Sequence, residues 1–97
     1  MNSIAVAVDR LGGLIDLAFI AESEFEKAAV FAATTQLVML LEAEFEQERS
    51  NLLKSTERIR WGICAMIGYD ITNGSDKIQH KSMALGALNT LRQRIEQ

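Results

Sequence analysis

Proline is absent from the 97 residues, and cysteine, tryptophan, histidine and tyrosine each occur once. Without proline, no residue removes a backbone donor or locks φ against a helix, so long uninterrupted helices are permitted. The single Cys64 excludes an internal disulfide and any Cys-x-x-Cys site. The single His80 excludes the paired Glu-x-x-His ligands of ferritin-like di-metal bundles, and the residue three before it is Lys77. The N-terminus shows no basic segment followed by an apolar stretch and a small-residue cleavage site. With one unpaired cysteine, this leads us to expect a cytoplasmic protein.

Ile4 to Ala21 is strongly apolar, yet Asp9, Arg10 and Asp16 interrupt it. Each such charge near a bilayer centre costs about 2.5 to 3.5 kcal/mol, so we read a core helix there and no membrane association. A net charge of -3 is too small and of the wrong sign for a protein whose affinity rests on neutralising phosphates. The average hides a division. Residues 1–49 carry nine acids and three bases, and residues 50–97 carry seven bases and four acids. Acidic helices can therefore face basic ones, within one chain or between two copies.

A chain of this length is one domain over residues 1–97, since its core is too small to divide. It buries roughly 60 to 70% of its unfolded surface, so a second copy would add useful contact. The strongest turn signal is Thr72-Asn73-Gly74-Ser75, where Asn-Gly supplies positive φ. Asp76 with Gln79 then forms a capping box for a last helix, whose face is Ala84, Leu88, Leu91 and Ile95 with Leu85 alongside. Before the turn, Leu52, Thr56, Ile59, Ile63 and Met66 repeat at helical spacing, flanked by Leu53, Arg60 and Ile67, and this helix is expected to reach Ile71. Ser3 is read as the cap of the first helix, with Ile4, Val8, Leu11, Ile15 and Ala18 on one face. Ser23 and Glu26 cap the second, whose predicted seam is Phe25, Ala29, Ala32, Gln36 and Met39, joined by Leu37, Leu40, Leu41 and Phe45.

The spacing thus predicts helices over 4–22, 24–48, 51–71 and 77–95, in an all-α four-helix bundle or a pair of helical hairpins that homodimerisation could complete. The alternative is one rod over residues 24–71, about 70 Å long at 1.5 Å per residue, if Arg49-Ser50-Asn51 does not break it. Glu22-Ser-Glu-Phe-Glu26 is echoed by Glu42-Ala-Glu-Phe-Glu46, which we read as composition and not as a repeat.

The sequence completes none of the common chemical constellations. The glutamates at 22, 24, 26 and at 42, 44, 46, 48 alternate by two, which spreads them round a helix as a solvated face and not a metal site. Asp70 to Lys81 has Gly74, Ser75 and Lys81 where a calcium loop needs a ligand, a glycine and a bidentate acid. Cys64 sits among Ile63, Ala65 and Met66 and reads as an inert buried thiol, although a contact with His80 across the turn is open. His80 itself is read as an exposed residue or partner contact. No phosphate-binding glycine loop occurs. We therefore expect no catalytic residue, no cofactor and no metal.

Lys54, Arg58 and Trp61 fall at i, i+4 and i+7, beside the Ile59 and Ile63 seam. Tryptophan next to arginine is the composition of interface hot spots, so these three are the expected partner-binding residues. Trp61 closing the core, or stacking on a nucleobase, are the competing readings. Met39, Met66 and Met83 are read as core filler, and Gly62 and Gly68 carry no motif. The chain is accordingly expected to be a non-enzymatic helical module that binds a partner protein, as adaptor, inhibitor or accessory regulator, and self-associates as a homodimer. The alternative is a transcription-associated or antitoxin-like regulator that binds nucleic acid through Lys54, Arg58, Arg60, Lys77, Lys81, Arg92 and Arg94.

Overall fold

A reciprocal cap starts the second helix. In the computed structural model, the Ser23 hydroxyl accepts from the Glu26 backbone N–H at 3.0 Å while the Glu26 carboxylate accepts from the Ser23 N–H at 3.0 Å. Donors to the Glu26 carboxylate, the Ser23 N–H first, then the Ser23 hydroxyl and the Glu22 N–H at 3.4 Å, hold that carboxyl below the usual carboxylate range. The structure describes residues 3–48, 52–69 and 76–95, with side chains from Ile4 to Phe45 in the first stretch. The described residues form four helices, α1 (Ser3–Ile20), α2 (Glu24–Glu48), α3 (Leu53–Met66) and α4 (Lys77–Ile95). The Arg49-Ser50-Asn51 break and the Thr72–Ser75 turn lie outside the described residues. Principal extents of 36 × 23 × 18 Å exclude the 70 Å rod.

Asp76 caps α4 as its sequence implies, its carboxylate accepting from the Gln79 N–H at 2.8 Å. The helix α1 already includes Ser3, so that residue stands in the first turn instead of preceding it. The end of α3 is a correction. The helix stops at Met66, short of Ile71, because Gly68 takes φ of +81°. The Gly68 N–H donates to Ala65 O at 3.2 Å and the Tyr69 N–H to Cys64 O at 2.9 Å, the two bonds of a Schellman motif. Gly68 thus has a motif after all, and Tyr69 beyond it rests on Phe31 of α2 with ring centroids 5.0 Å apart.

One core runs through the molecule, built from Val8, Leu11, Ile15 and Ala18 of α1, Ile59 and Ile63 of α3, and Ala84, Leu88 and Leu91 of α4, with one face of α2. Helices α1 and α3 touch each other and both of the others, so α2 and α4 occupy opposite corners. α1 and α4 run antiparallel. Asp9 pairs with Arg92 at 3.1 Å and Asp16 with Lys81 at 3.6 Å, while Lys77 Nζ donates to Phe19 O at 3.2 Å and Ala21 O at 3.5 Å. That ammonium sits where α1 leaves its last carbonyls unpaired. The acidic and basic halves therefore meet here inside one chain.

α2 overturns its expected packing. The residues that enter the core are Val30, Thr34, Val38, Leu41 and Phe45, whereas Phe25, Ala29, Ala32, Gln36 and Met39 all face outward. The two echoed phenylalanines show why: 20 residues at 3.6 per turn leave them about 160° apart, so Phe25 is 83% exposed and Phe45 fully buried. Glu24–Phe45 is by length and composition apolar enough to cross a membrane, and 28% of its most apolar window is buried in the fold. Ile4–Ala21, read from its three charges as a core helix, is too charged to be a second such helix among the described residues.

Candidate functional site: the groove between the third and fourth helices

Gly62 faces His80 and Ala84, so the absence of a side chain at 62 lets α3 and α4 approach closely there. Towards the start of α3 a groove of about 780 Å³ opens between the two helices. Lys54, Arg58 and Trp61 all line it, with Ser55, Glu57 and Arg60 from the same helix. α4 supplies Met83, Gly86, Ala87 and Thr90. The floor is low because a Cβ built on Gly86 would meet nothing within 4 Å.

Trp61 is neither core nor free. It is 37% exposed, and its ring meets the His80 ring edge-on, with centroids 5.2 Å apart at 76°. His80 is a second correction, being 2% exposed where the sequence suggested a surface residue. The His80 backbone carbonyl lies against Gly62 of α3, while its buried imidazole meets the Trp61 indole of that same helix. Neither ring nitrogen has a hydrogen-bond partner among the described residues, so no Cys64–His80 bond forms, and Cys64 itself is buried. Met39 and Met83 are more than half exposed, against the expectation of core filler, and only Met66 is buried.

The electrostatics of the groove are one-sided. Three bases, Lys54, Arg58 and Arg60, share its walls with a single acid, Glu57, and none of the three bases is in an ion pair among the described residues. Other bases of the C-terminal half are engaged elsewhere. Lys81 lies 4.5 Å over the Phe19 ring as well as beside Asp16, Arg92 holds Asp9, and Lys77 closes the end of α1. Among the described residues, no three His, Cys, Asp or Glu side chains converge on a point that could hold a metal ion.

Sequence reasoning found the α3 wall and missed the α4 wall. The missing information is the helix register: α3 and α4 run antiparallel with residues 62 and 84 opposed, which no pattern within one helix contains. That register places 58 near 88 and 54 near 92, which brings Gly86, Ala87 and Thr90 beside the basic stripe. A second, shallower groove of about 470 Å³ lies between α1 and α2, lined by Arg10, Gly13, Leu17, Ala33, Gln36 and Leu40 among others. No protein-family model, curated protein or solved structure matches the chain, so the groove's chemistry rests on its own residues.

Proposed function

We propose that this is a non-enzymatic interaction module, an adaptor, inhibitor or accessory regulator, which takes a segment of a partner protein into the α3–α4 groove and also associates with itself. The observation that carries the reading is the meeting of Lys54, Arg58 and a half-exposed Trp61 over an apolar floor of Met83, Gly86 and Ala87. Such a surface suits a helical or extended segment with one apolar anchor flanked by carboxylates, because the anchor covers the indole and the carboxylates reach the guanidinium. The same reading takes the protein as cytoplasmic.

The nucleic-acid reading draws on the same indole and cations. It has less support, because Lys77, Lys81 and Arg92 are turned to α1 and leave a short basic edge in place of a backbone-length track.

Trp61 is the only tryptophan, so its fluorescence reports the groove directly. Titration with an amphipathic peptide bearing glutamates beside its apolar face is expected to shift the emission, and Arg58→Ala to weaken binding about tenfold or more. A response confined to single-stranded oligonucleotides and lost with salt would support the alternative. Silence to both classes would end the groove reading.

A further inference from the structure

The outward face of α2 is apolar along its length except at Gln36. Phe25, Ala29, Ala32, Gln36, Met39 and Ala43 recur at spacings of four and three, and every one is exposed. Leu40, Leu17 and Ile20 widen the face towards α1, each at least half exposed. Five large apolar side chains in one strip exceed the scattered exposure of an ordinary surface. Spacing of this kind is a coiled-coil seam, and on α2 it lies opposite the face that enters the core.

We infer that a second copy of the chain covers this face, with the two α2 helices antiparallel and centred on residue 34. The inference deepens the self-association part of the proposed function and rests on it, while the α3–α4 groove is independent of it. The register follows from side-chain size. With the helices antiparallel about residue 34, Phe25 meets the second copy's Ala43, Met39 meets its Ala29, and Gln36 meets its Ala32. Every large side chain then has an alanine opposite, which is the interdigitation that close packing needs. A parallel pairing sets Phe25 on Phe25 and Met39 on Met39, and leaves Ala29, Ala32 and Ala43 facing each other across gaps.

Charge bears on the same orientation. Ala33 and Leu40 line the α1–α2 groove, and helical spacing puts Glu26 and Glu44 on their side of α2, so the second copy's Glu26 arrives between Leu40 and Glu44. Arg10 lines the α1–α2 groove next to Leu40 and has no acidic partner among the described residues. An Arg10–Glu26 contact between copies would fill that vacancy twice, once on each side of the two-fold axis. The area is also adequate. A strip of 19 residues at 1.5 Å, two helices wide, covers on the order of 500 Å² in projection, which side-chain relief raises towards the roughly 800 Å² per partner of stable complexes.

Cross-linking tests the orientation in a Cys64→Ala background. Ala29→Cys and Met39→Cys chains, mixed and oxidised, are expected to give a 29–39 disulfide dimer, and neither chain alone should do so, because like residues lie about 15 Å apart in this register. Light scattering should show a dimer at micromolar concentration, and Ala32→Glu should raise its dissociation constant by about a hundredfold or more with helix content unchanged. A monomer at every concentration would overturn both self-association and this interface. A dimer that resists Ala32→Glu, or that cross-links 29 to 29, would overturn this interface alone. Flotation with zwitterionic lipid vesicles, accompanied by loss of the 29–39 cross-link, would give the face to a membrane instead.

Discussion

Gly62 and Ala84 stand so close that a Cβ built on the glycine would lie 3.0 Å from that of the alanine, and 3.3 Å from the His80 carbonyl oxygen. Neither neighbour is the loose end of a flexible side chain, so α3 and α4 must part if residue 62 grows. Gly86, two residues on from Ala84, has nothing within 4 Å of the same position. Alanine gains about 1 kcal/mol over glycine within a helix, and overpacking costs about 1 to 3 kcal/mol. Gly86→Ala should therefore raise stability by up to about 1 kcal/mol and Gly62→Ala lower it by up to about 2 kcal/mol in urea titrations. Equal gains in both variants would refute the close approach.

Gly68 is the other glycine whose replacement has a defined cost. Its φ of +81° penalises any Cβ, so Gly68→Ala should lose about 1 to 2 kcal/mol, and Gly68→Asn less. In a chain of this size each kcal/mol moves Tm by about 4 to 8 °C, within reach of a circular-dichroism melt.

The cap of α2 gives stability a pH dependence of known sign. Ser23→Ala should cost about 1 kcal/mol. The Glu26 carboxyl is held low in the folded chain, so its contribution is complete above the ordinary carboxylate range and is lost as pH falls through the lowered value. The stability difference between the native chain and Glu26→Gln should accordingly be full at neutral pH and shrink in acid. Chemical denaturation across that range measures it, and a difference that grew on acidification would contradict the cap.

His80 is buried with both ring nitrogens unbonded among the described residues. Leaving a buried polar group without a partner costs about 1 to 3 kcal/mol, and the edge contact with Trp61 returns about 0.5 to 1.5 kcal/mol. His80→Leu should hold or raise stability and shift the Trp61 emission, which the imidazole now touches. A loss above about 2 kcal/mol would mean that the ring is hydrogen bonded in solution.

What could be read from the sequence depended on how many apolar faces each helix has. α1, α3 and α4 each bury the face that periodicity marks: Leu11 and Ile15, Ile59 and Ile63, Leu88 and Leu91 are all core residues. α2 is apolar on two faces, and the 3.6-residue period fits Phe25–Met39 as well as Val30–Phe45. Choosing between them needs the neighbours, because only the face toward α1 and α3 is buried. The basic stripe of Lys54, Arg58 and Trp61 was legible since it lies on one helix. The α4 wall and the burial of His80 required the register of two helices, which the Gly62–Ala84 contact reveals and no single-helix pattern contains. Gly68 was not read as a helix stop, because a glycine inside an apolar run fits a continuing helix as well as a C-terminal cap until its positive φ is seen.

Lys77 reaches back over 58 residues of sequence to Phe19 O and over 56 to Ala21 O. Contacts of that separation form only after the intervening loop has closed, so the α1–α4 seam is expected to form late in folding, behind the hairpins that neighbouring helices make. Replacing Lys77 by methionine should leave the refolding rate nearly unchanged and quicken unfolding, a split visible in the two arms of a chevron. On that expectation the lysine is a latch, which sets how long the chain stays shut more than how fast it closes.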